Sequence, residues 1–152
     1  MSHRLTDTDL KNLQAYLDKT GSPVGFKPSP VKHNRNEESQ SQQAVIKWWD
    51  LACKGFSLPN EILFSIPNGG ARDARTGNLM KKEGQRRGVP DLMVAVPMGG
   101  KAALFLEMKT ATGRLSPEQI KMHAALTDLG YVVQVCRSSG EAIDAITKYL
   151  KG

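Results

Sequence analysis

The chain has 152 residues, 39% of them apolar and 24% charged, with a net charge of +6 and a pI of about 9.4. That length suffices for one domain with a buried core, and the longest apolar run falls far short of the roughly 20 residues a membrane span needs, so no membrane partner is expected. No secretory signal is expected either, because MSHRLTDTDL has no apolar stretch after its charges, and the widely spaced Cys53 and Cys136 read as buried thiols of a reducing cytoplasm.

Residues 1–36 read as an appendage. Thr6 and Asp9 resemble a helix start, and Leu10, Leu13, Tyr16 and Leu17 share one helical face up to Gly21. The Pro- and Gly-rich GSPVGFKPSPVKHNRN that follows is a linker or surface arm. The main domain, 37–152, opens with an amphipathic helix from Glu38 to Cys53 carrying Ala44, Val45, Trp48, Trp49 and Ala52. Two adjacent tryptophans are not expected to both face inward, so one is assigned to the core and the other to an exposed face suited to a dimer interface.

EILFSI (61–66) predicts a strand that ends at the turn Pro67-Asn68-Gly69-Gly70. From Arg72 to Arg87 there are six cations (Arg72, Arg75, Lys81, Lys82, Arg86, Arg87) against Asp73 and Glu83, without periodicity until the end of the stretch. It reads as a loop, either simply solvated or tracking phosphates. DLMVAV (91–96) and AALFLEMK (102–109) predict two strands joined by a short turn over Pro97–Gly100, an antiparallel hairpin. Ser116-Pro117-Glu118-Gln119 combines a Ser cap, a Pro at the first helical position and a Gln at the capping-box position, and its helix runs to Gly130. YVVQVC (131–136) is a fourth strand. Ser138 and Glu141 open a last helix carrying Ile143, Ile146, Tyr149 and Leu150. From Glu38 onward the order is α-β-β-β-α-β-α, an α/β fold with a central mixed sheet flanked by helices.

Strand residues i and i+2 share a face, so Glu107 and Lys109 are neighbours and Met108 turns the other way into apolar packing. Alone, that pair could be an ion pair. Asp91 opens the strand paired with theirs, where Asp is disfavoured; it either caps a turn or comes alongside Glu107 and Lys109. Two converging carboxylates suit a hard divalent cation, Mg²⁺ or Mn²⁺, and a lysine beside it suits phosphodiester hydrolysis. His3, His33 and His123 show no ligand spacing with one another or with the cysteines, so no zinc site is expected.

Pro90-Asp91 followed by Glu107-Met108-Lys109 resembles the PD-(D/E)XK nuclease signature. With Ile66-Pro67-Asn68-Gly69-Gly70, Gly84, Gly88-Val89-Pro90-Asp91-Leu92, Gly113, Ser116, Gln119, Leu126, Gly130 and Tyr131, the chain resembles the VRR-NUC branch of that superfamily over about residues 37–150. The resemblance implies a restriction-endonuclease-like core. It also implies a metal held by Asp91, Glu107 and the backbone carbonyl of Met108, with Lys109 as the catalytic lysine. Gln119 would sit near the site, and a Glu of the first helix, Glu38 with Glu37 as the fallback, would complete it. Single-domain members, common in phages and bacteria, resemble homodimers that cut branched DNA such as Holliday junctions. The alternatives are a flap, nicking or restriction-like nuclease, or a non-catalytic DNA-binding module. The cations of 72–87 are the expected backbone contacts, which bring affinity without base specificity.

Overall fold

The computed structural model describes residues 37–67 and 74–152, less the side chains at 74–76 and 78. The helix and linker expected in residues 1–36, the Asn68-Gly69-Gly70 turn and Arg72 lie outside these residues. Helix α1 spans Glu37–Ala52, with Glu37 and Glu38 in its first turn, where carboxylates meet the positive end of the helix dipole. The 3-10 turns Cys53–Phe56 and Asn60–Ile62 lead into β1, Leu63–Ser65. Then come α2 (Ala74–Lys82), β2 (Leu92–Val94), β3 (Leu104–Met108), α3 (Pro117–Asp128), β4 (Val132–Cys136) and α4 (Ser139–Lys151).

The four strands form one mixed sheet in the order β1-β2-β3-β4. β1 and β2, and β2 and β3, pair antiparallel, while β3 and β4 pair parallel and need the α3 crossover between them. The β2–β3 hairpin turns at Gly99 and Gly100, with φ of 55° and 76°. Two successive positive φ values are what a tight hairpin turn demands and what glycine supplies without strain. Mutual backbone bonds between Met98 and Lys101 close it.

The two faces of the sheet differ. Leu104, Leu106 and Met108 of β3 join Leu92 and Val94 of β2 in the apolar core, which α1 and α4 cover with Val45, Trp49, Ala142, Ile146 and Leu150. Phe105 and Glu107 point to the opposite face, where Phe105 meets Tyr131 edge-on at 5.4 Å and α3 covers Glu107. All five residues of β3 are therefore buried.

Three sequence expectations change here. The stretch 72–87 is not all loop: residues 74–82 form α2. Nine residues with Gly77 in the middle, and only Leu79 and Met80 as large apolar side chains, leave too little periodicity to read; Lys81 and Lys82 in the last turn suit the dipole. Trp48 and Trp49 are both buried, at 9% and 0% exposure. The 3-10 turn after α1 folds Phe56 back onto them, with ring centroids 6.3 and 5.8 Å away. The helix is thus covered on a second side, and Trp49 Nε1 donates to the Asn60 carbonyl at 2.9 Å. The strands are also shorter than read, because pairing ends where the chain turns.

Candidate active site

Extended by one residue, the β2–β3 register (Leu92 opposite Leu106) sets Asp91 opposite Glu107, and directly opposed residues share a face. Asp91 is fixed there from two sides. Its Oδ2 accepts from the Met108 amide at 2.8 Å, and its carbonyl accepts from the Ile66 amide. The loop that delivers it passes beneath α3 at Gly88, whose φ is +84°. A Cβ at that position would lie 2.3 Å from the Glu118 carbonyl oxygen, so only glycine fits.

Glu107 is 1% exposed. A buried carboxylate is costly without partners, and its Oε1 has two: Lys109 Nζ at 2.9 Å and Gln119 Nε2 at 2.6 Å. The amide orientation of Gln119 is fixed, because its Oε1 accepts from the Ser116 amide while the Ser116 hydroxyl accepts from the Gln119 amide. The capping box that starts α3 thus also aims a donor at Glu107. Glu38 reaches the far end of β3 from the first turn of α1. Its Oε1 accepts from the Thr110 amide at 3.2 Å and lies 3.8 Å from Lys109 Nζ.

Three carboxylates therefore surround one ammonium, and the electrostatics show the imbalance. Burial, then the field of Glu107, pushes the Asp91 carboxyl up to about 6, against the Met108 amide and Lys109. Burial also pushes Glu107 up, against Lys109. Burial would lower Lys109, but its bond to Glu107 and the fields of Glu107, Glu38 and Asp91 outweigh this and raise it, so the ammonium stays charged at neutral pH. Surplus buried negative charge on oxygen donors, with Glu107 Oε2 left without a hydrogen bond, fits a hard divalent cation. Among the described residues no three His, Cys, Asp or Glu side chains form a ligand set by themselves. Backbone carbonyls, water or a phosphate would have to complete the shell.

Two neighbours of the cluster are not placed there by the sequence reading, which takes His123 only as a histidine without zinc-ligand spacing and does not single out Arg137. His123 is four residues after Gln119 on α3, a spacing that puts both on one helical face; its Nε2 lies 3.5 Å from Glu107 Oε2. Burial, then Lys109, lowers its pKa, so this is a neutral ring against a carboxylate and not an ion pair. Arg137, just past β4, donates through Nη1 to the carbonyls of Thr110, Ala111 and Gly113 at 2.9, 3.2 and 2.8 Å. It pins the turn that follows Lys109, and nothing in its sequence context announces this.

The basic residues divide. Lys81 and Lys82 are exposed at the end of α2, and Arg86 is exposed with its guanidinium on the Lys81 and Gln85 carbonyls. Arg87 pairs with Glu118 at 3.8 Å, next to Gln119. Arg75 lies on α2, its side chain outside the described set. Met108 buries its side chain in the apolar core. No helix among the described residues is long and apolar enough to cross a membrane.

A family profile described as the VRR-NUC domain matches residues 31–140. A solved structure titled "VRR_NUC domain protein" is similar over 80% of this chain and 92% of its own, with a TM-score of 0.66 and 23% identity, a likeness of fold. No curated protein matches the chain.

Proposed function

The chain belongs to the VRR-NUC domain family, and on that premise we propose that it is a divalent-metal-dependent endonuclease of the PD-(D/E)XK type. The family brings a nuclease-type function with DNA as substrate. The observation that carries the finer reading is the buried cluster itself: Asp91 opposite Glu107, with Lys109 Nζ 2.9 Å from Glu107 and three carboxylates against one ammonium.

Asp91, Glu107 and the Met108 carbonyl would hold Mg²⁺ or Mn²⁺, which when bound supplies Lewis acidity at the scissile phosphate. Lys109, charged and 13% exposed, donates hydrogen bonds to the attacking water or to a phosphate oxygen and offsets the charge that develops there. Gln119 holds Glu107 in place, and Glu38 holds the Thr110 amide and the ammonium. Lys81, Lys82, Arg86 and Arg87, with Arg72 and Arg75, contact the DNA backbone without reading bases.

The substrate we propose is branched DNA such as a Holliday junction, cut by a homodimer whose twofold axis relates two sites on two strands. The resemblance to single-domain family members supports this, as does the lack of any base-reading motif. The nuclease domain is taken as 37–152 with 1–36 as an arm, acting in the cytoplasm of a bacterium or phage-infected cell. The test is a panel of four-way junctions, flaps, splayed arms and plain duplex with Mg²⁺ or Mn²⁺. Junction cleavage should stop with a chelator and fall ~10²-fold or more in K109A while DNA binding persists. Full activity in K109A would sink the site, and preference for duplex of one sequence would sink the junction. A solution mass measurement tests the dimer.

A further inference from the structure

The two oxygens of Glu107 face different company. Oε1 is saturated by Lys109 and Gln119. Oε2 is buried and accepts no hydrogen bond, and His123 Nε2, equally buried and unpartnered, faces it at 3.5 Å. Polar atoms shut away from water are nearly always paired, and an orphaned pair facing each other calls for a third party. A direct hydrogen bond between them would be shorter and better aligned.

The surroundings identify the third party. Glu38 and Lys109 lie on the Oε1 side. His123 feels the fields of Lys109 and of Asp91, and Asp91 stands opposite Glu107 in the strand register. The His123 side chain is 12% exposed, and its Nε2 makes no hydrogen bond, so this imidazole nitrogen is open to an ion. α3 carries Gln119 and His123 one turn apart, presenting one to each oxygen of the same carboxylate. Asp91, Glu107 and His123 do not close into a ligand set as they stand; resting on the reading of Asp91 and Glu107 as metal ligands, we propose that His123 Nε2 is a further ligand of the same ion, on the Oε2 side, with the Met108 carbonyl and water completing the shell. The centre is then a mixed oxygen–nitrogen site that prefers Mn²⁺ to Mg²⁺, since Mg²⁺, the harder ion, sheds water reluctantly and gains less from a nitrogen ligand.

The probe is Mn²⁺ alone, without DNA, bound to the full chain. Pulsed electron paramagnetic resonance of the Mn²⁺-loaded wild type should show a nitrogen hyperfine coupling that H123Q lacks. Calorimetric titration should show Mn²⁺ affinity falling roughly tenfold or more in H123Q, with Mg²⁺ affinity moving far less. The wild-type spectrum needs no variant to fold. If the wild type binds Mn²⁺, D91N loses it and no nitrogen coupling appears, the His123 assignment is overturned and the nuclease reading stands. If the wild type binds no Mn²⁺, both fall.

Discussion

Glu107 shows how a single residue can be costly to the fold and still be held firmly. Buried between two core residues, it has the Lys109 ammonium as counter-ion and the Gln119 amide as hydrogen-bond donor; removing Lys109 leaves the buried charge with the Gln119 hydrogen bond alone, which costs stability. Asp91 makes the cost measurable. Its carboxyl sits at about 6 when folded against 3.8 as a free group, so between those values the folded state holds a proton that the unfolded chain has released. Stability contributed by Asp91 is therefore greatest at low pH, falls as pH rises from about 4 to about 6, and is flat above. In metal-free protein, thermal melts of wild type and D91N should draw apart in D91N's favour across that window. Added Mn²⁺ at neutral pH should raise the wild-type Tm alone. A pH-independent difference would contradict the burial and repulsion described. The period-two rule was enough to place Glu107 and Lys109 together and Met108 apart. His123 was not legible as a neighbour of Glu107, because the two are sixteen residues apart in sequence and on different elements.

At the scale of elements, the capping box of α3 does two things at once, and the loop before β2 must slide under it. Gly88 permits this with a positive φ and no side chain against the Glu118 carbonyl. G88A should cost about 3 kcal/mol in urea denaturation, from the strained backbone and the contact together, and should lower cleavage by displacing Asp91. An unchanged midpoint would show that the loop has room to move. Helix starts were readable because Ser116 and Ser138 are chemical signals: their side chains accept from the amides three residues on. α2 was not readable, since Gly77 interrupts it and few apolar residues mark a face. Both tryptophans are inside because a 3-10 turn supplies a second covering surface, and periodicity of one helix carries no information about that turn.

For the whole molecule, the sheet divides its residues by face: aliphatic side chains on one side form the core, and the charged cluster lies on the other. The mixed order followed from the sequence because the hairpin turn and the crossover helix each leave a clear trace. The strand lengths did not, because pairing partners decide where a strand stops. Lys81 and Lys82 project from the surface apart from the core, so changing them tests contact without touching the fold. K81A/K82A should weaken DNA binding evenly across sequences and reduce the slope of log affinity against log salt by about 2. A slope unchanged from wild type would remove α2 from the DNA surface.

Both thiols of the chain are buried, out of reach of a labelling reagent, and burial pushes Cys136 up to about 12, so at neutral pH Cys136 presents no reactive thiolate. The hairpin tip at Gly99–Gly100 lies at the end of β2 away from Asp91, and Lys101 beside it is exposed. K101C should therefore take up a maleimide fluorophore at one position, with the native protein left unlabelled in a mass spectrum. The protein comes ready for attachment of a spectroscopic reporter at a distance from its carboxylates.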